Sequence, residues 1–138
     1  MYPIQLTQPM ALELEQVGFK SLKTAEEVEE VLSQQEGTTL VVVNSVCGCA
    51  AANARPAAIT AIKNEFKPDN LVTVFAGVDS EAVQKARSYF VPYPPSSPSM
   101  ALFKNGELVH FIERHQIEGR PAQLIANNLI AAFNEFCS

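Results

Sequence analysis

Cys47, Gly48 and Cys49 set two thiols one residue apart, in the stretch NSVCGCAAANARPA (44–57). A disulfide needs Cα atoms about 4.4–6.8 Å apart. Residues i and i+2 of an extended strand lie near the upper end of that range. A glycine between them, having no Cβ, permits the bend that brings them closer. A Cys47–Cys49 disulfide is therefore accessible but strained, and strained, exposed disulfides are the labile kind. Closing so short a loop removes little chain entropy, so the pair is a poor staple and a good exchange centre. A loop running into a helix also offers free backbone N–H groups and the positive end of the helix dipole. Both favour the thiolate, which is the nucleophile. Cys47, farther from the helix body, is expected to be the more exposed, attacking thiol. Cys49, at or inside the first turn, would resolve; the reverse order is also compatible with the sequence. Two rival readings are a pair of inert buried cysteines and a thiolate metal site. Cys-Gly-Cys offers little apolar packing for the first. The second lacks further ligands, because His110 falls in a strand and His115 in a loop, neither at ligand spacing.

The chain has 138 residues, 47% hydrophobic and 18% charged, which suits one compact domain, 1–138. A formal net charge of -5 with no basic stretch argues against nucleic acid as a partner. No run of about 18 apolar residues is present, so no membrane span is expected. MYPIQLTQPM lacks the basic and apolar regions of a signal peptide, which points to the cytoplasm. In a reducing compartment, three cysteines with two close together read as redox-active or metal-binding rather than as a disulfide framework.

The elements that must position the pair are legible in outline. Gln8 to Lys20 can form a first helix through Leu12, Leu14, Val17 and Phe19. Thr24 with Glu27 is a capping box opening a second helix, with Gly37 placed to end it. TTLVVV (38–43) is β-branched and apolar without alternation at its end, as a central strand covered on both faces requires. Ala50 to Phe66 reads as a helix with Ile59, Ile62 and Phe66 on one side, kinked or started by Pro56. LVTVFA (71–76) is a strand, and Asp79 or Ser80 caps a helix to about Phe90. VPYPPSSPS (91–99) has four prolines in nine residues and is irregular. MALFK, the turn Asn105-Gly106 and ELVHFI form a hairpin. Pro121 is placed at the first position of a last helix bearing Leu124, Ile125, Leu129, Ile130, Phe133 and Phe136. The order αα-βα-βα-ββ-α, with strands apolar on both faces, predicts an α/β three-layer domain.

Taken together, a strand, a cysteine loop, a kinked helix, a proline loop before a hairpin and a final helix resemble the thioredoxin fold. TTLVVVNSVCGCAAANARPA, VTVFAG, SSPSMAL and VHFIERHQIEG are similar to the bacilliredoxin family over essentially the whole chain. The resemblance implies a thioredoxin-like α/β/α arrangement with a central mixed sheet of about four strands and helices on both faces. It also implies removal of bacillithiol, a low-molecular-weight thiol, from S-bacillithiolated client proteins. Cys47 would take the bacillithiol, and Cys49 or a second bacillithiol would clear it. No bound cofactor and no metal are implied, with bacillithiol as co-substrate. General disulfide isomerase or reductase activity, or a non-catalytic thiolate metal module, are the alternatives.

By the same resemblance, Ser97-Pro98 should be cis and face the cysteines, with Ser97 and Ser99 turned toward substrate. Bacillithiol carries carboxylates, so Arg55 could contact it or stabilise the thiolate. Its plain alternative is a surface arginine, and Arg114 and His115 have the same standing. Asn44 and Ser45 could donate hydrogen bonds to a thiolate or simply form the loop. Cys137 could be a third redox thiol or a half-buried end-of-helix residue.

Overall fold

A computed structural model describes residues 2–138. The elements, in order, are α1 (Ile4–Glu15), β1 (Lys20–Ser21), α2 (Ala25–Leu32), β2 (Thr38–Asn44), a π-helical turn (Ala50–Ala54), α3 (Arg55–Ala61), β3 (Asn70–Phe75), α4 (Ser80–Ser88), β4 (Ser99–Lys104), β5 (Glu107–Ile112), a 3-10 turn (Arg114–Gln116) and α5 (Ala122–Phe136).

The sheet runs β1-β3-β2-β4-β5. The strand that leads to the cysteines is its centre: β2 pairs parallel with β3 and antiparallel with β4, and all seven of its residues are buried. Its side chains alternate between two cores. Leu40 and Val42 pack into the layer that holds Leu14 of α1, Ala57, Ala58 and Ala61 of α3, and Leu129 and Phe133 of α5. Val41 and Val43 pack against Val28 and Leu32 of α2 and Ala82, Val83 and Ala86 of α4. Burial on both faces is why the run shows no polar alternation.

Several boundaries differ from the sequence expectation. The first helix starts and ends earlier than Gln8–Lys20, and Pro9 lies inside it. Gly18, at φ 108°, ends it, and the Phe19 amide closes back on the Leu14 carbonyl at 3.1 Å. Phe19 is therefore buried beside Leu14 from outside the helix, and the freed chain adds β1, a fifth strand. Gly37 does not end α2. It precedes β2 at φ 87°, donates to Asn105 Oδ1 (3.1 Å) and accepts from the Asn105 amide (2.8 Å), which ties the central strand to the hairpin turn. Helix α3 stops at Ala61, so Phe66 is exposed rather than on a buried stripe. Pro121 caps α5 from outside with extended ψ, and Leu124 is half-exposed.

Candidate active site

β2 leaves the core at Asn44 and delivers Ser45 to Cys49 to one end of the sheet. The Cys47 carbonyl accepts from the amides of Ala50 (3.1 Å) and Ala51 (3.2 Å), so the helical segment begins at the first cysteine. Pro56 has no N–H to give, and its ring would crowd the carbonyl four residues back. The preceding turn is π-helical, with the Arg55 amide bonded to the Ala50 carbonyl, and α3 starts with Pro56 in its first turn. The small side chains of Ala50, Ala54 and Ala57 let this segment lie against the core.

The two sulfurs are 2.6 Å apart, and Ser45 Oγ lies 3.1 Å from Cys47 Sγ. Both cysteines are half-buried. They differ in electrostatics. Partial burial pushes Cys47 up. Hydrogen bonds from Cys49, Ser45 and the Ala50 amide, with the Arg114 charge, outweigh this and hold it below the ordinary cysteine value. Burial, the hydrogen bond to Cys47 and the charge of Cys47 push Cys49 up. Of the two, Cys47 lines a cleft of about 220 Å³ bounded by Tyr2, Ser45, Val46, Ala76, Gly77, Ser97 and Arg114. Another cavity of similar volume lies between α1, β1 and β3; no cysteine lines it.

Arg55 is neither a substrate contact nor a surface residue. It is 1% exposed, and its Nη1 donates to Asn44 Oδ1 (2.9 Å) and to the Ser45 carbonyl (3.0 Å). Glu13 Oε1 lies 3.1 Å from Nε, close enough for an ion pair but off the line of the N–H, which is otherwise unpartnered. Asn44 is likewise buried. Its Oδ1 accepts from Arg55 and from the Ser45 amide (2.9 Å), and its Nδ2 donates to the Met10 carbonyl (3.3 Å), so it cannot reach a substrate or a thiolate. Arg55 and Asn44 position Ser45, and Ser45 meets the thiol.

The Ser97–Pro98 bond is cis, as is Val91–Pro92 in the same loop. Ser97 lines the cleft, and Pro98 is buried. Ser99 is buried, pairs with Val43 and donates from Oγ to the Ser96 carbonyl (3.0 Å), and it is not among the residues that line the cleft. Arg114 joins the parts. Its Nη1 donates to the Ser97 carbonyl (3.0 Å), its Nε to Glu118 Oε2 (2.8 Å), and its charge acts on both thiols. Nothing local in the sequence singles out this arginine over Arg55; the return of the chain after β5 places it here. His115 is exposed and faces Glu113 at 3.2 Å. Cys137 interacts with Thr38, at the opposite end of β2, about 20 Å from the pair by strand length. Burial pushes its thiol up. Among the described residues, no group of three or more His, Cys, Asp or Glu side chains is placed to hold a metal, and no helix is long and apolar enough to cross a membrane.

A family model described as disulphide isomerase matches residues 2–137. The chain is 58% identical to a bacilliredoxin of Geobacillus kaustophilus over 137 residues, 99% of this chain and 94% of that protein. It is 54% identical to a bacilliredoxin of Cytophaga hutchinsonii, covering 98% and 99%. A thioredoxin of Halobacterium salinarum superposes with a TM-score of 0.60 at 17% identity over 88% of this chain and 93% of that one. A Malassezia sympodialis thioredoxin gives 0.57 at 12%, over 88% and 92%. At such identities these structures establish the thioredoxin-like fold.

Proposed function

The chain belongs to the bacilliredoxin family, and from that premise we propose that it is a thiol–disulfide oxidoreductase that removes bacillithiol from S-bacillithiolated proteins. The observation that carries this reading is the asymmetric thiol pair, with Cys47 the lower-pKa member and on the cleft. The Cys47 thiolate attacks the bacillithiol sulfur of the mixed disulfide. The bond between client and bacillithiol breaks as the bond between Cys47 and bacillithiol forms, and the client cysteine leaves as a thiolate that takes a proton from water. The Cys49 thiolate then attacks Cys47 Sγ, which releases bacillithiol and leaves a Cys47–Cys49 disulfide. The mixed disulfide has gained two electrons, one at the client sulfur and one at the bacillithiol sulfur, and the pair has lost two. A low-molecular-weight thiol, such as further bacillithiol, must restore the dithiol. The reaction uses no bound cofactor, and bacillithiol is the co-substrate.

Cys49→Ser tests this, because it stops the second step. Mixed with a bacillithiolated client, the variant should hold bacillithiol on Cys47, visible by intact mass and peptide mapping, with the client thiol freed. The description of the matching family as disulphide isomerase favours a second reading, exchange of protein disulfides. Failure to take up bacillithiol, together with capture of a scrambled protein substrate on Cys47, would replace the first reading by the second.

A further inference from the structure

Among the described residues, the cleft beside Cys47 has one charged group in its lining, Arg114, in a chain of net charge -5. Its guanidinium is held from two sides, by the Ser97 carbonyl at 3.0 Å and by Glu118 at 2.8 Å. Its own amide is anchored to Ser96 Oγ at 3.4 Å. Tyr2 also lines the cleft, and its amide donates to the Gly77 carbonyl at 3.2 Å. Gly77 has φ 87°, and a Cβ there would come within 2.6 Å of the Tyr2 ring, so only glycine lets the wall close this tightly. A thiol bonded to Cys47 would enter this space, whose lining among the described residues includes Arg114 and no anion. Glu118 pairs with Arg114 from four residues along the chain, and both side chains are about half exposed (60% and 45%). Such exposed pairs are weak and readily exchanged for another carboxylate, whereas a guanidinium recognises carboxylates in a planar, two-pronged fashion.

We propose that Arg114 selects mixed disulfides whose small-thiol half is anionic, and that Glu118 is a built-in competitor which that anion displaces. The inference rests on the thiol-exchange reading above and adds the chemical class of thiol that the cleft accepts. Arg114 also acts on the thiols by its charge, so its selectivity must be read as a ratio between substrates.

The test uses one client protein bearing a single cysteine, modified with bacillithiol, with glutathione (both anionic) or with 2-mercaptoethanol (neutral), and the full-length protein. Arg114→Gln should lower kcat/KM for the two anionic adducts about tenfold more than for the neutral one, the scale of a lost hydrogen bond to a charged group. Glu118→Gln should raise the anionic-to-neutral ratio. Salt should narrow that ratio in the unaltered protein and leave it flat in Arg114→Gln. Equal losses on all three adducts would overturn the proposal and leave Arg114 as a support for Ser97. An unchanged or lowered ratio in Glu118→Gln would overturn the competitor role even if Arg114→Gln did not fold. Clearance of glutathione but not of bacillithiol would sink the bacillithiol reading while leaving charge selection standing or falling on the glutathione ratio.

Discussion

At the scale of the residue, Ser45 gives the half-buried Cys47 thiol a partner that favours its thiolate. Its hydroxyl sits 3.1 Å from Cys47 Sγ, and a hydrogen bond to the charged form favours that form. Cys47 lies below the ordinary cysteine value and Cys49 above it. As pH rises, Cys47 therefore becomes thiolate first. Its alkylation rate should climb and level off at a pH where Cys49 is still protonated. At neutral pH, mass mapping after a short pulse of iodoacetamide should find the label on Cys47. Ser45→Ala removes about 1 kcal/mol of thiolate stabilisation. Its Cys47 should alkylate about fivefold more slowly at pH 7, with the profile displaced to higher pH. An unmoved profile would show that Cys49 and the Ala50 amide suffice.

At the scale of the element, two devices can be separated by measurement. The capping box of α2 is complete: the Glu27 amide donates to Thr24 Oγ1 at 3.1 Å, and the Thr24 amide donates to Glu27 Oε1 at 3.2 Å. Thr24→Ala should cost about 1 kcal/mol and lower Tm by about 3–5 °C, without changing Cys47 alkylation, since neither Thr24 nor Glu27 lines the cleft or bonds the pair. Arg55 starts α3 and bridges it to the end of β2. A lysine there supplies a point charge in place of a planar fork. Arg55→Lys should lower the urea midpoint by the equivalent of about 1–3 kcal/mol. It should also slow Cys47 alkylation, because the Ser45 backbone loses its anchor.

At the scale of the whole molecule, β2 is both the spine of the fold and the arm that carries the cysteines. It is bonded along both edges and covered on both faces. Its amides should exchange with deuterium only through global unfolding, whereas the edge strands β1 and β5 should open more readily. Leu40 is fully buried in the α1/α3/α5 layer. Leu40→Ala should cost about 2–5 kcal/mol, read as a lower denaturant midpoint at an unchanged slope. A loss much smaller than this would mean that the layer closes over the missing methyl groups.

The sequence by itself determined the things that depend on neighbours in the chain. TTLVVV specifies a strand apolar on both faces, Thr24 and Glu27 a helix start, Asn105-Gly106 a hairpin, and Cys47-Gly48-Cys49 a pair of adjacent thiols, because propensity, capping and ring closure act within a few residues. Gly18 and Gly37 mark where such reasoning stops. Both are glycines near helix ends, but only Gly18 ends its helix, while Gly37 answers to Asn105 across the sheet. The tertiary structure alone decided which arginine serves the thiols. Arg55, six residues from Cys49, is buried as a brace, and Arg114 arrives from beyond β5 to take the Ser97 carbonyl and the cleft. Charge acts through space and burial, and neither is fixed by distance along the chain.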